Sequence, residues 1–164
     1  MDHPAAAGPL AVLESAPIAV AMRHELWLYP AVEILHICGF VVLVGSIVVL
    51  DLRLLGLSRS ISARELSRHV LPWTLGALIV IVPTGFLMFM THASDFLVNR
   101  AFQVKLALIM LAGVNGALFH TGASGKYALW DRDVVPPGRV KAHAAASLAI
   151  WAGVISCGRL LAYV

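Results

Sequence analysis

Five of the seven histidines, His36, His69, His92, His120 and His143, fall within or at the ends of long uncharged stretches. Neutral imidazole is a good ligand for transition metals, and a polar ring inside hydrocarbon is costly unless it faces a bundle interior, a partner or a ligand. The chemistry suggested is metal or haem ligation and, through haem, one-electron transfer. His3 and His24 lie in the N-terminal segment and read as surface residues.

Two axial ligands of one haem must sit at similar depths on different helices. At 1.5 Å per residue, His36 lies roughly 9 Å inside the outer end of the first apolar stretch and His120 roughly 9 Å from the inner end of the third. They belong to different levels. His92 falls near the level of His36, while His143 and His69 fall near that of His120. The pattern is compatible with one or two b-type haems, His36 pairing with His92 and His120 with His143. Each ligand role has a plainer counterpart: a buried hydrogen bond for His36 and His120, a solvated interfacial position for His92, His143 and His69.

The neighbours fit both roles. Glu33 lies one turn before His36, where it could orient the imidazole, and Gly39 one turn after it, where it would leave room for a ring. Gly116 precedes His120 by a turn, and Ser147 follows His143 by a turn. Arg100 and Lys105 at the outer end, with Arg139 and Lys141 at the inner end, suit haem propionates or headgroup anchoring. Cys38, Cys157, Met88 and Met90 share the outer half with His36 and His92, and soft sulfur with imidazole is what copper(I) prefers. There is no CxxCH for covalent haem, and two cysteines make no disulfide framework.

The elements that must position these side chains follow from the composition. The chain is 60% hydrophobic and 13% charged, with a mean hydropathy of +0.86, a balance that calls for lipid as solvent. Four charge-bounded runs are each long enough to cross a hydrocarbon core of about 30 Å. They predict spans at about 30–51, 70–92, 103–122 and 142–162. The expected fold is all-α: a single four-helix transmembrane bundle over 29–164, preceded by an amphipathic interfacial segment over 1–28. Small residues such as Gly113 and Gly116 permit close helix contact, including a homo-oligomer, or room for a flat ligand. No connector is large enough for a catalytic domain.

The net charge of +3 and pI near 9.2 do not point to nucleic acid, because the basic residues sit in connectors rather than along one face. Arg53, Arg59, Arg64 and Arg68 follow the first run; Lys126, Arg132, Arg139 and Lys141 follow the third. The opposite side holds only Arg23, Arg100, Lys105 and Arg159. By the positive-inside rule both termini lie outside the cytoplasm, in the periplasm for a bacterial inner-membrane protein. The N-terminus lacks the pattern of a cleaved secretory signal.

The segments LYPAVEILHICGFVVLVGS, DLRLLG, TGFLMF and NRAFQVKLALIMLAGVNGALFH carry a family likeness over about residues 29–125. The chain resembles the small four-helix bacterial membrane proteins that include CopD-type copper-resistance domains and HemJ-type protoporphyrinogen oxidases, and most closely members with DLRLLG after the first span. The resemblance implies His36 as a haem or metal ligand, with Lys105 near the same site. HemJ-type enzymes use b haem to oxidise protoporphyrinogen, and CopD-type domains are associated with copper handling. His120 and His143 depart from both and favour electron transfer across the membrane. The expectation is a membrane-embedded b-type cytochrome with an unidentified redox partner or quinone. The alternatives are a copper-binding or copper-transporting protein and a non-catalytic subunit of a larger membrane complex.

Overall fold

The computed structural model describes residues 8–123, 130–161 and 163; His3 and Lys126 lie outside the described residues. The chain is all-α. Two short helices, α1 (Pro9–Glu14) and α2 (Pro17–His24), precede α3 (Leu28–Leu55); α4 (Ala63–Thr91), the single-turn α5 (Ala93–Val98), α6 (Arg100–Leu118) and α7 (Gly138–Leu160) follow. Helices α3, α4, α6 and α7 are each long and apolar enough to cross a membrane. The chain is therefore a multi-pass membrane protein.

Each long helix begins before its expected span, and α3 also runs past its expected end, because helix ends are set by caps rather than by hydropathy. α3 stops at Gly56, whose φ of +110° suits glycine as a left-handed C-cap. α4 begins at Ser62, whose hydroxyl accepts from the Glu65 N–H. α6 begins at Asn99, whose Oδ1 accepts from the amides of Ala101 and Phe102. α4 runs unbroken through Pro72 and Pro83. α6 loosens into a π-turn over Phe119–Ala123, a distortion often found at functional positions.

The four long helices form an open arc. α4 packs on α3, α3 on α7, and α7 on α6, but no Cα of α4 comes within 8 Å of one of α6. Leu43, Ala77, Ile150, Trp151 and Val154 fill the middle of the arc, with Phe40 edge-on to Trp151. Gly39 does not leave room for a ring, as expected above. It is buried, and a Cβ there would meet Ile81 Cγ1 at 3.0 Å, so the glycine serves the close approach of α3 to α4.

At the end carrying the connectors after α3 and before α7, called here the basic end, Arg53 is almost fully buried. Its guanidinium donates to the carbonyls of Ile61 (2.6 Å), Asp131 (2.6 Å) and Arg59 (3.3 Å). The Asp131 carboxylate accepts from the Ser62 hydroxyl and the Arg64 amide. The two connectors are thus stitched together. At the terminal end, Phe89, Phe96 and Phe102 stack across the mouth between α4 and α6. There α1 and α2 are tied down by Arg23, which donates to the Thr91 carbonyl, and by Glu14, which accepts from Ser94.

Candidate functional site

The gap between α4 and α6 opens a cleft of about 430 Å³ that runs from mid-bundle to the basic end. Small-molecule sites occupy about 300–1,000 Å³. Leu71, Leu75 and Leu78 of α4 face Ile109, Ala112, Gly113 and Gly116 of α6, while α3 and α7 form the floor. Nothing lies within 4 Å of a Cβ built on Gly113 or Gly116, so these glycines widen the cleft. The polar side chains gather toward the basic end: Asp51, Ser67, Thr74, Asn115, His120, His143 and Ser147.

His143, half-buried on α7, is held by Asn115 of α6 at two points. Asn115 Nδ2 donates to the His143 carbonyl (3.1 Å), so its Oδ1 must face the ring, where it accepts from Nδ1–H (2.8 Å). The imidazole is left with its lone pair on Nε2, the form that ligates a metal or accepts a proton. His120 lies in the π-turn on the same cleft, and the Phe119 ring sits edge-on to both imidazoles, 5.4 Å from His120 and 6.2 Å from His143 between centroids. The fold thus brings His120 and His143 to one cleft.

Toward the terminal end, His36 of α3 is half-buried against α4. Thr84 spends its hydroxyl proton on the carbonyls of Val80 (2.7 Å) and Ile81 (3.2 Å), so its oxygen accepts from His36 Nδ1–H (2.9 Å). This second ring also keeps its lone pair on Nε2. Gly85 lets it lie flat, since a Cβ there would meet His36 Cε1 at 3.0 Å. Thr84, not the exposed Glu33, orients His36. Lys105 of α6 is close enough to act on His36 electrostatically, and its Nζ lies 3.7 Å from a Cβ built on Gly158.

His92 does not join His36. It stands between α4 and α5, exposed, 3.7 Å from the Asp95 carboxylate. Eight residues separate it from Thr84, which sets it roughly 12 Å nearer the terminal end at helical rise. Two ligands of one iron cannot be so staggered. Arg100 lines a shallow depression with Cys157 and Leu160, and it and Lys105 stand at the terminal end, away from the cleft. His69 is exposed on α4. Both cysteines are free; Cys38 is exposed, two residues and therefore about 200° around α3 from His36, whereas Cys157 is buried. Among the described residues no three His, Cys, Asp or Glu side chains are grouped to hold a metal ion.

Sequence reasoning missed three participants. Asn115 and Thr84 are each the partner that fixes an imidazole. Asp51, which hydropathy marks only as the end of a span, is 5% exposed at the floor of the cleft. Ser147 stands beside its carboxylate, and Oδ2 has no partner among the described residues. The available signal was the carboxylate itself, an acidic residue within a helical turn of an apolar run.

No curated protein and no solved structure matches this chain. Residues 28–164, which take in all four membrane-crossing helices and every polar group of the cleft, match a family model described as a family of unknown function, DUF6644, and the chain belongs to that family.

Proposed function

We propose that this protein is a membrane-embedded b-type cytochrome, with haem held in the cleft between α4 and α6 by His143 and with His120 as the second ligand. The observation that carries the reading is His143 itself: a ring fixed by Asn115 in the ligating tautomer, beside a second imidazole, facing a cleft with open space at two glycines. The donor set fits haem, since bundles hold such groups between facing helices and neutral imidazole is a common axial ligand. When bound, haem supplies one-electron oxidation and reduction. The protein's own part is to orient His143 through Asn115, to present apolar walls and to keep water out. His36, fixed in the same way by Thr84, is the candidate ligand of a second haem about 22 Å away along α3, counted from the level of Asp51.

The lateral opening between α4 and α6 suits exchange with a lipid-soluble partner such as a quinone. The resemblance to haem- and copper-handling four-helix proteins supports the same class of function. The concentration of Arg and Lys at the basic end supports a bacterial inner-membrane location with that end in the cytoplasm and both termini in the periplasm.

The test is a reduced-minus-oxidised absorption spectrum of the detergent-purified protein, with a pyridine haemochrome assay and metal analysis on the same sample. A b-type band that disappears in His143→Ala and survives in His36→Ala supports the cleft site. Loss in His36→Ala alone moves the haem to the other half of the bundle. A colourless protein that does not take up added haem sinks the reading.

A further inference from the structure

The floor of the cleft holds a group that electron transfer alone does not use. Asp51, at the floor of the cleft, is 5% exposed, and its buried Oδ2 has no hydrogen-bond donor among the described residues. An ionised carboxylate in hydrocarbon is strongly disfavoured unless paired. Ser147 stands beside the carboxylate, but Oδ2 is left without a donor among the described residues. Arg53 is two residues on, about 200° around the helix, and faces the connector carbonyls of Arg59, Ile61 and Asp131. From α4 the cleft receives Ser67 and Thr74, while Arg64, Arg68 and His69 are exposed outside it. From α6 and α7 the titratable groups are His120 and His143. Among the described residues no fixed positive charge lines the cleft beside Asp51, so the charge it tolerates depends on the cleft's occupant.

We infer that Asp51 is a proton-loading group: it takes up one proton at Oδ2 when the cleft haem gains one electron, and releases it when that electron leaves. The inference rests on the haem reading above. The balance is simple. One electron enters from a one-electron donor, one proton enters from the aqueous basic end, an O–H bond forms on Asp51, and the net charge of the cleft is unchanged. In a low-dielectric site, adding an electron without a proton is opposed by the carboxylate beside it, and that repulsion couples the two events. Asp51 lies four residues from the end of α3, roughly 6 Å of helical rise from the basic end, and Ser67 of the α4 wall and Ser147 of the floor line the same cleft.

The experiment is a redox titration of the haem band of the full chain in detergent, with dithionite and mediators, at a series of pH values. The wild type is expected to lose potential as pH rises, by up to about 59 mV for each tenfold fall in proton concentration, the one-electron limit. Asp51→Asn should keep the band and lose the slope, and Asp51→Glu should keep both. Redox-difference infrared spectra of the wild type should show a carboxylic-acid carbonyl band appearing on reduction, which decides the matter even if Asp51→Asn does not fold. A haem band with a pH-independent potential, an unchanged slope in Asp51→Asn, or no carboxyl band overturns this inference and leaves the cytochrome standing. Absence of haem overturns both.

Discussion

Asn115 grips His143 twice, through the backbone carbonyl at 3.1 Å and through ring Nδ1 at 2.8 Å, so that one carboxamide sets both the register of α6 on α7 and the tautomer of the imidazole. Partners of this kind hold a ligand's ring angle as well as its protonation, and their loss commonly costs 10- to 100-fold in affinity. Asn115→Leu is expected to weaken haem binding by about that factor while leaving the protein helical. Titration of haem into apoprotein, followed by absorbance, checks it; unchanged affinity would mean that Asn115 merely joins two helices.

The corresponding pair in the other half is His36 with Thr84. Thr84→Val keeps the side-chain shape and removes the acceptor of Nδ1–H, which should cost about 1 kcal/mol of stability. The thermal midpoint in detergent should fall, and the spectrum of haem in the α4–α6 cleft should not change. A change in that spectrum would place His36 at the same centre as His143.

Arg53 predicts a different kind of loss. Its guanidinium is buried and donates to three connector carbonyls; Arg53→Met leaves those of Ile61 and Asp131 without this donor, while that of Arg59 keeps the Asp133 amide at 2.9 Å, at a cost of about 2 kcal/mol or more. Arg53→Lys should recover only part, because an ammonium lacks the planar fork that reaches separated carbonyls. Chemical or thermal unfolding of the three proteins side by side gives the order.

Asp131 supplies a pH dependence. Burial works against its charge, but the Ser62 hydroxyl, the amides of Arg64 and Ala63 and the charge of Arg53 together hold its carboxyl below the usual 3.8. A depressed carboxyl stabilises the fold above the unfolded-state value and loses that contribution as pH falls through the folded one. Asp131→Asn should therefore be less stable than wild type near neutrality, by up to about 1 kcal/mol for so accessible a group, with the gap closing below about pH 4. Midpoints that stay parallel down to acid pH would show that the charge is irrelevant.

The four crossings were legible because charge bounds each apolar run, and lipid imposes helices on such runs. The contacts that matter were not, because each joins residues far apart in the chain: Asn115 to His143 across 28 positions, His36 to Thr84 across 48. The pairing of His36 with His92 failed on depth. Helical rise from the end of an apolar run ignores how far α4 continues past Thr84, and that continuation carries His92 beyond reach. Hydropathy treats the Asp51 carboxylate as the end of a span, but the helix runs on to Leu55 and puts it inside. The gap between α4 and α6 had no sequence signal except the glycines on one wall.

Those glycines give the most direct test of the cleft. A Cβ at Gly113 or Gly116 meets nothing within 4 Å, in contrast to Gly39 and Gly153, where it would meet Ile81 at 3.0 Å and Leu108 at 2.9 Å. Substitution at the first pair should fill empty space, and at the second should push helices apart. Gly116→Phe is accordingly expected to fold with a thermal midpoint near wild type and to lose the cleft haem, because the ring occupies the volume between α4 and α6. Gly39→Phe should lose stability by several kcal/mol, since the α3–α4 contact cannot absorb a ring. Melting curves and haem content measured on both variants separate the outcomes. If Gly116→Phe binds haem as well as wild type, the cleft is not where the haem sits, and His36 becomes the ligand to pursue.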